Sequence, residues 1–327
     1  MRFVSIALLL LSASSATSSE PSKLRRLDAE ALAIRDSVPA DAVIAHRGLP
    51  YWAPEETAPS YQLALGLGVD YLDADIQRTK DGVLICLHDD NLQRTTNIGE
   101  IFPDRQDDPV SKFTLAELML LDAGSWFNKD YPFRASDSFV GLKILTLEEL
   151  IDLVEESPKP WPGLSLETKE AKLFKGIEAD LHGQFEKRGW DGTDPDRRLL
   201  LQTFERSSLP LLENYFPQAP KILLLWKGEG YMERADEAEL VDWLNFGVDN
   251  GAQFAGPSLP GPAQYYDLMQ DWMVKLMRDA RLAIHAYTLN DDFEIYDAQT
   301  DGLFTDRADL LKQYYLVRDL RRELGRK

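Results

Sequence analysis

Ionisable side chains stand at the ends of several short apolar runs, the position at which parallel strands present catalytic groups. One run ends in His46, a second carries Asp73 and Asp75, a third ends near His88, and a fourth carries Glu167. Histidine exchanges protons near neutral pH, and carboxylates bind hard divalent cations. The pattern therefore predicts an active site that combines acid–base catalysis with a metal ion.

The carboxylates are spaced so that they can converge on one ion. Asp73 and Asp75 are two residues apart on a predicted strand, so both side chains project from the same face. Oxygen ligands suit Mg²⁺ or Ca²⁺, whereas a single cysteine, Cys86, excludes a zinc site built from several thiolates. We therefore expect Asp73, Asp75 and Glu167 to hold one divalent cation, Mg²⁺ or Ca²⁺.

The other charged residues at these strand ends suit a phosphate substrate. Arg47 directly follows His46, and Lys169 shares a strand face with Glu167. Positive charge beside a carboxylate cluster is expected where a phosphate group and a metal ion meet. His46 and His88 then provide an acid and a base on two elements that face the same mouth.

Eight short apolar runs alternate with amphipathic stretches, which is typical of βα units around a parallel sheet. The predicted strands are 42–45, 71–75, 163–167, 199–203, 221–225, 248–254, 282–288 and 302–306. Eight units over roughly 250 residues match the size of a TIM (β/α)8 barrel. Phe204 and Tyr287 follow or end the fourth and seventh of these strands, so we expect them to flank the organic part of a bound substrate.

Two additions to the barrel are predicted near its mouth. The run GVLICLHD, residues 82–89, follows the turn sequence TKDG, which indicates an antiparallel β-hairpin arm. The arm carries His88 and Asp89, and its reach over the mouth favours His88 as the general acid. Residues 97–143 lack a βα rhythm, and we interpret them as a small insertion after the second βα unit.

The chain begins with the features of a secretory signal peptide. Residues 1–22 contain one positive residue, an apolar run and then small residues. We assign residues 1–19 to the signal peptide, 20–40 to an N-terminal helical segment and 41–327 to the barrel domain. The apolar run is shorter than the roughly 20 residues of a membrane span, so we expect an exported protein, periplasmic or secreted, with no stable membrane anchoring.

The charge balance argues against general nucleic-acid binding. The chain has 36 Lys and Arg against 55 Asp and Glu, a formal net charge of −19. Nucleic-acid affinity comes largely from Lys and Arg that neutralise phosphates, and this chain has an excess of acid. A small phosphate-containing substrate needs only a few local cations or a metal. No feature of the sequence favours a particular oligomeric state.

Several motifs together resemble the glycerophosphodiester phosphodiesterase family. They are AHRG, PEETAPS and YLDADIQRTKDGVLICLHDDNLQRTT within residues 45–96, followed by LETK, QTFE, HAYTLN and DGLFTD. The resemblance extends from about residue 42 to 310 and implies a TIM barrel, a divalent cation and a small-molecule glycerophosphodiester substrate. It also implies hydrolysis to glycerol 3-phosphate and an alcohol, with His46 and His88 as the catalytic histidines.

The resemblance implies roles for further residues. The matching positions are Asp73, Asp75 and Glu167 for the metal, Arg47 and Lys169 for the phosphate, and Glu55. We expect Glu55, Glu56 and Asp89, the charged neighbour of His88, to support the site. Three positions depart from the family pattern, with Asp73 in place of glutamate, Glu56 in place of asparagine and Tyr287 in place of tryptophan. The first two concern the metal, because Asp73 is one methylene shorter than the usual ligand and Glu56 adds a carboxylate near it.

Two other functions fit parts of the same pattern. A phospholipase acting on intact lipid, of the sphingomyelinase D or phosphoinositide phospholipase C type, shares the two-histidine barrel and would need an exposed apolar or basic loop. The insertion offers Trp126, Phe127 and Phe133 as aromatic residues for such a loop. A secreted binding protein with a degenerate site is the other alternative, and the full set of histidines, cations and carboxylates argues against it.

Overall fold

The central feature of the computed structural model, which describes residues 23–190, 194–260 and 266–325, is a closed sheet of eight parallel strands. The strands are β1 Ala42–Ala45, β2 Tyr71–Arg78, β3 Leu84–Cys86, β4 Gly163–Thr168, β5 Leu199–Thr203, β6 Lys221–Leu225, β7 Phe254–Pro257, β8 Ala283–Ala286 and β9 Gly302–Thr305. Strand β1 pairs with both β2 and β9, which closes the barrel, and β3 lies antiparallel to β2 outside the ring. The predicted TIM (β/α)8 barrel is confirmed.

Helices surround the sheet and connect its strands. They are α1 Ala29–Arg35, α2 Ala58–Leu67, α3 Ile98–Ile101, α4 Leu115–Leu118, α5 Ser125–Asp130, α6 Leu147–Glu155, α7 Ile177–Arg188, α8 Leu209–Tyr215, α9 Glu237–Asp249, α10 Asp271–Asp279 and α11 Ala308–Leu324. Single 3₁₀ turns occur at Pro103–Arg105, Val110–Lys112, Asp137–Phe139 and Phe293–Ile295. The sequence of α6 shows why a helix forms there. Thr146 and Glu149 form a reciprocal cap at its start, and its apolar residues recur at helical spacing on the buried face.

The alternation of side chains along each strand decides which residues enter the barrel. On β2, Tyr71 belongs to the cluster inside the ring, whereas Leu72 and Ala74 pack against the helices. Because side chains alternate along a strand, Asp73 and Asp75 point inward with Tyr71. The carboxylates therefore occupy the interior of the barrel above its apolar floor.

The sixth barrel strand begins later than the sequence pattern predicts. Residues 248–254 were expected to form it, but Val248 and Asp249 complete helix α9, and strand β7 starts at Phe254. Gly251 takes a positive φ of 85°, so the chain turns between the helix and the strand at this glycine. Periodicity alone does not separate the end of an apolar helix from the start of a buried strand.

The hairpin arm and the insertion both lie at the mouth. Strand β3 pairs with the end of β2, with Cys86 opposite Ile76. The segment 97–143 follows this arm and contains α3, α4 and α5. It lies between strand β2 and helix α6, so it belongs to the loops at the C-terminal ends of the strands, where TIM barrels carry their active sites.

The N-terminal segment packs against the barrel near helix α10. The predicted signal peptide, residues 1–19, lies outside the described residues. Leu27 is buried, and its amide donates a hydrogen bond of 3.1 Å to the carbonyl of Ala280. Arg35 at the end of α1 donates to the carbonyl of Arg281 at 2.7 Å. Across the described ranges, no helix combines the length and apolar character needed to span a bilayer.

Candidate active site

A pocket at the C-terminal ends of the strands gathers the residues that the sequence singles out. It encloses about 250 Å³. Its walls include His46, Arg47, Asp73, Asp75, His88, Glu167, Lys169, Phe204 and Tyr287. The predicted catalytic, metal-binding and substrate-binding residues therefore all face one cavity. The predicted supporting residues, Glu55, Glu56 and Asp89, contact members of this set from outside it.

Three buried carboxylates meet on the inward faces of β2 and β4. Asp75 is the register partner of Glu167, and Asp73 lies two residues earlier on the same face. Burial, with the nearby charge of Asp75, raises the pKa of both Asp73 and Glu167. Against the effect of burial, Lys169 and Arg47 hold the pKa of Asp75 below its usual range. When all three carboxylates are ionised, the cluster carries more negative charge than Lys169 and Arg47 balance.

The donor chemistry of this cluster suits a hard divalent cation. Asp75 Oδ2 is buried and forms an ion pair with Arg47 Nε at 3.1 Å but accepts no hydrogen bond of suitable geometry from the described residues. Lys169 Nζ lies 3.3 Å from Glu167 Oε1 and 3.8 Å from Asp75 Oδ1, and Gln202 donates to Asp73 at 2.5 Å. Within the described ranges no three His, Cys, Asp or Glu side chains are already arranged as a ligand set. The oxygen donors fit Mg²⁺ or Ca²⁺ by type, and Lys169 and Gln202 contact them in this structure.

His46 is oriented by a carboxylate from the last strand of the barrel. Its Nδ1 lies 2.6 Å from Oδ1 of Asp306, which follows β9. Asp306 also accepts a hydrogen bond of 2.8 Å from the amide of Asn290. Against the effect of burial, the charge of His46 holds the pKa of Asp306 below its usual range. Because Nδ1 is engaged, Nε2 is the nitrogen that can exchange a proton with substrate.

His88 has an analogous partner on the hairpin arm. Its Nδ1 lies 2.7 Å from Oδ1 of Asp89. Burial, together with the positive charge of Arg47, lowers the pKa of His88. The carboxylate of Asp89 is shared with Arg94, which donates to it at 2.6 and 2.9 Å. His88 is therefore neutral near neutral pH and can accept a proton.

Arg47 is directed into the pocket by a tight turn after β1. Arg47 and Gly48 both have positive φ, 55° and 90°. A Cβ atom at Gly48 would lie 2.4 Å from Oγ of Ser60, so only glycine fits this position. From this turn the Arg47 guanidinium reaches Oε1 of Glu55 at 2.9 Å and Oδ2 of Asp75 at 3.1 Å.

A chain of alternating charges connects the two sides of the pocket. Glu55 accepts from Arg47 and, with both of its oxygens, from Arg94 at 2.7 Å. Against the effect of burial, Arg94 and Arg47 lower the pKa of Glu55 to about 2. Since Arg94 also binds Asp89, the hairpin arm is tied to the β1 turn. Charged groups that are fixed in this way need little reorganisation when a phosphate binds.

Glu56 supports the site and has no free oxygen for a cation. Its Oε2 bonds to the hydroxyl of Tyr61 at 2.5 Å, and its Oε1 accepts the backbone N–H of Asp75 at 2.9 Å. Burial, together with the charge of Asp75, raises the pKa of Glu56 well above its ordinary value. The added carboxylate therefore braces the strand that carries Asp75.

Aromatic rings form the other wall of the pocket. Phe204 and Tyr287 meet edge to face with their centroids 5.6 Å apart, and Tyr231 packs against Phe204 at 5.9 Å. Trp226 also lines this wall. The hydroxyl of Tyr287 donates to the carbonyl of Leu225 at 2.7 Å, which fixes its ring. This wall is suited to the carbon skeleton of a small substrate.

Sequence reasoning missed several residues of the site. They are Arg94, Gln202, Trp226, Tyr231 and Asp306. Asp306 and Arg94 stand within motifs that the sequence analysis quotes, DGLFTD and NLQRTT, so a signal was present. Their roles depend on contacts with distant segments, because Asp306 lies 260 positions from His46.

Comparison with known proteins gives a consistent result. Residues 46–310 match the model of the glycerophosphoryl diester phosphodiesterase family. The chain is 32% identical over 272 residues to a glycerophosphodiester phosphodiesterase of Bacillus subtilis, which covers 82% of this chain and 84% of that protein. It is 30% identical over 230 residues to a probable glycerophosphodiester phosphodiesterase 1 of Mycobacterium tuberculosis, covering 69% and 76% of the two chains.

Solved structures share the architecture. A putative glycerophosphoryl diester phosphodiesterase of Silicibacter pomeroyi superposes with a TM-score of 0.66 at 22% identity, covering 84% of this chain and 93% of that one. A phosphodiesterase of Oleispira antarctica, solved in complex with the product sn-glycerol-3-phosphate, superposes with a TM-score of 0.61 at 25% identity, covering 84% and 96%. These likenesses support the same barrel fold.

Proposed function

The chain belongs to the glycerophosphoryl diester phosphodiesterase family, and we propose that it hydrolyses glycerophosphodiesters by acid–base catalysis divided between His46 and His88. One observation carries the proposal. Each histidine faces the pocket and is held through Nδ1 by a carboxylate, at 2.6 Å for His46 and 2.7 Å for His88. Two oriented imidazoles beside Arg47 and Lys169 match the needs of phosphodiester cleavage.

The phosphate binds between the cations and the carboxylate cluster. Arg47 and Lys169 offset the charge that grows on the non-bridging oxygens as the fifth bond to phosphorus forms. Asp73, Asp75 and Glu167 would hold one divalent cation, Mg²⁺ or Ca²⁺. Such a cation supplies Lewis-acid polarisation of the phosphoryl group and relieves repulsion among the carboxylates. The side chains of the protein bind the phosphate and transfer the protons.

The neighbours of the two histidines favour His46 as the acid and His88 as the base. Asp89 shares its charge with Arg94, and the pKa of His88 is lowered by burial and Arg47, so His88 begins the reaction neutral. Asp306 has only the uncharged Asn290 as a further side-chain hydrogen-bond partner among the described residues, so, unlike Asp89, it is not hydrogen-bonded to an arginine and its carboxylate pairs with His46. The position of His88 on the predicted hairpin arm favours the opposite assignment, with His88 as the acid.

In one displacement at phosphorus, one histidine gains a proton and the other loses one. His88 Nε2 removes a proton from the nucleophile, which is water or the glycerol hydroxyl next to the phosphate. The bond from phosphorus to the leaving oxygen breaks, and His46 Nε2 protonates that oxygen. The wall of Phe204 and Tyr287 flanks the glycerol moiety. With water as nucleophile, the products are glycerol 3-phosphate and the alcohol; otherwise a cyclic phosphate forms first and water opens it.

A direct assay tests this proposal. The purified protein should release glycerol 3-phosphate from glycerophosphocholine in the presence of Mg²⁺ or Ca²⁺ and lose this activity in excess EDTA. Sphingomyelin and phosphatidylinositol, the substrates of the lipid-directed alternatives, should remain uncleaved. Absence of turnover with every glycerophosphodiester would support a binding protein and contradict the proposal.

Export is proposed as well, from the sequence of residues 1–19 and independently of the chemistry. Expression of the full chain in a bacterial host, followed by fractionation, should deliver the enzyme to the periplasm or medium. N-terminal sequencing of that material should begin near residue 20. Recovery of an uncleaved chain from the cytoplasm alone would contradict this proposal.

A further inference from the structure

A second pocket adjoins the active site on the side of strand β1. It encloses about 470 Å³, and its walls include Tyr51, Arg94, Trp126, Tyr131, Arg134 and Arg307. Trp126, Tyr131 and Arg134 come from the insertion, and the other residues come from loops at the barrel mouth. Arg47 lines both this pocket and the active-site pocket. The two cavities therefore meet at Arg47.

Arg134 gives this pocket a positive charge that no neighbouring carboxylate neutralises. In the described part of the chain, Arg134 has no carboxylate within 4.0 Å, and its guanidinium bonds to the carbonyl of Tyr51. Arg94 and Arg307 also line the pocket but pair with acidic residues, Arg307 with Asp309 at 3.1 Å. The half-buried Arg134 thus retains N–H donors for an external anion.

The aromatic rings of the pocket hold these cations in place. The guanidinium carbon of Arg134 lies 4.0 Å from the ring centroid of Tyr51 and 4.2 Å from that of Tyr131. Arg307 lies 3.8 Å from the same Tyr51 ring. Since guanidinium groups already cover these rings, a quaternary ammonium group would meet positive charge instead of a free aromatic face. The pocket thus favours an anion over choline.

Acidic residues at this pocket do not reverse its preference. Glu55 is bound by Arg47 and Arg94, and Asp306 by His46 and Asn290. Asp291 also lines the pocket and is exposed to solvent. Exposed charges act weakly across water, whereas Arg134 is fixed between rings.

We propose that this second pocket, built around Arg134, binds an oxyanion on the leaving alcohol, either a phosphate or a carboxylate, and so selects anionic glycerophosphodiesters. The inference rests on the proposed function. Asp306, the partner of the acid His46, lines this pocket, whereas the aromatic wall lies in the other one. Since Arg47 lines both pockets, the two substituents of a diester held at Arg47 can extend into different pockets, the glycerol toward the aromatic wall and the leaving alcohol toward Arg134.

Two matched substrate pairs test the proposal. Glycerophosphoserine differs from glycerophosphoethanolamine by one carboxylate, and bis(glycerophospho)glycerol differs from glycerophosphoglycerol by a second phosphodiester with its glycerol. The anionic member of at least one pair should have a kcat/KM about ten-fold higher, the gain typical of one charge-assisted hydrogen bond. The pair that shows this gain identifies whether the pocket prefers a carboxylate or a phosphate.

Variants assign that preference to Arg134. Arg134→Gln should abolish the ratio within the responding pair, and Arg134→Lys should restore part of it because the charge is kept. Arg321→Gln, on the last turn of α11 and outside the lining of both pockets, makes the same change of net charge and should leave the ratio intact. The thermal unfolding midpoint of each variant verifies folding, and Lys at 134 keeps the test valid if Gln unfolds the loop.

The outcomes separate this inference from the proposed function. Turnover of all four diesters without any preference for the anionic members, or with a preference that Arg134→Gln leaves intact, overturns the inference and leaves the function standing. If none of the four diesters is cleaved, the proposed function fails. A preference that is lost in Arg134→Gln and falls with rising ionic strength supports the second pocket.

Discussion

Arg94 binds both carboxylate oxygens of Asp89, with Nε 2.6 Å from Oδ2 and Nη2 2.9 Å from Oδ1. Asp89 in turn holds His88, so the charge that reaches the imidazole is partly neutralised by the guanidinium. A base must be neutral to accept a proton, and a shared Asp89 raises the pKa of His88 less than a free Asp89 would. In the proposed mechanism Arg94 is thus a positioning residue that also sets the pH range of the base.

The variant Arg94→Met should move the acidic limb of the kcat/KM profile to higher pH. Loss of the guanidinium leaves Asp89 fully charged toward His88, which stabilises the imidazolium and raises its pKa. Arg94→Lys keeps a positive charge and should shift the limb less. A Met variant whose acidic limb stays in place or moves to lower pH would refute the role of His88 as the base.

Each of the three carboxylates should contribute to metal affinity. Replacement of Asp73 or Asp75 by Asn, or of Glu167 by Gln, should weaken Mg²⁺ or Ca²⁺ binding by roughly 10–100-fold or more. Because a bound cation stabilises the folded state, the wild-type unfolding midpoint should rise with added metal and fall back with EDTA. Unchanged activity and an unchanged midpoint in excess EDTA would rule out the metal site.

The short side chain of Asp73 gives a sharper version of this test. Asp73→Glu lengthens the ligand by one methylene, and its effect on the ratio of activities with Mg²⁺ and Ca²⁺ reports whether ligand length tunes the ion. We expect the ratio to change, because Mg²⁺ demands near-octahedral geometry whereas Ca²⁺ tolerates irregular coordination. An unchanged ratio would show that Asp73 is not a ligand that selects the ion.

Glu56 should behave as a support and not as a ligand. Glu56→Gln can still accept the N–H of Asp75 and donate to the hydroxyl of Tyr61, so metal affinity and kcat/KM should change only a few-fold. Glu56→Ala leaves the buried N–H of Asp75 without its acceptor and should lower activity and the free energy of unfolding, the latter by about 1–3 kcal/mol. Loss of metal binding in the Gln variant alone would identify Glu56 as a ligand.

The insertion should control access without anchoring the enzyme to lipid. Of its three aromatic residues named from the sequence, Phe127 is buried, Trp126 is half-buried, and Phe133 is fully exposed. Trp126→Ala should alter the Michaelis constants for different head groups. Sedimentation with phospholipid vesicles should be negligible for the wild type, and strong binding that Phe133→Ala removes would favour the lipid-directed alternative.

The sequence predicts the pocket well because its residues sit at fixed places on strands. His46 and Asp75 follow from strand ends and from the two-residue period of a strand, which any parallel barrel directs to its mouth. Asp306 and Arg94 do not follow in the same way. Asp306 contacts His46, which lies 260 positions away, and Arg94 joins Asp89 to Glu55, which lies 39 positions away, and no periodicity encodes such contacts.

The boundaries of helices and strands and the charge environments of side chains are also not predictable from the sequence alone. The end of α9 and the start of β7 share one apolar run, and only packing decides that Asp249 is helical. Likewise, the position of His88 on an arm suggests an acid, whereas the proposed mechanism makes it the base, because burial and Arg47 lower its pKa and Arg94 shares the carboxylate of Asp89. Charge environments depend on neighbours in three dimensions, which the sequence alone does not identify.

The division of roles between His46 and His88 is tested most directly by the leaving group. On glycerophosphocholine, His46→Ala and His88→Ala should each cost at least the ~10²–10⁴-fold typical of acid–base catalysis. On a nitrophenyl ester of glycerol phosphate the leaving phenolate needs no proton, so His46→Ala should recover much of its rate and His88→Ala should not. Recovery by both variants, by neither, or by His88→Ala alone would contradict the assignment of His46 as acid and His88 as base.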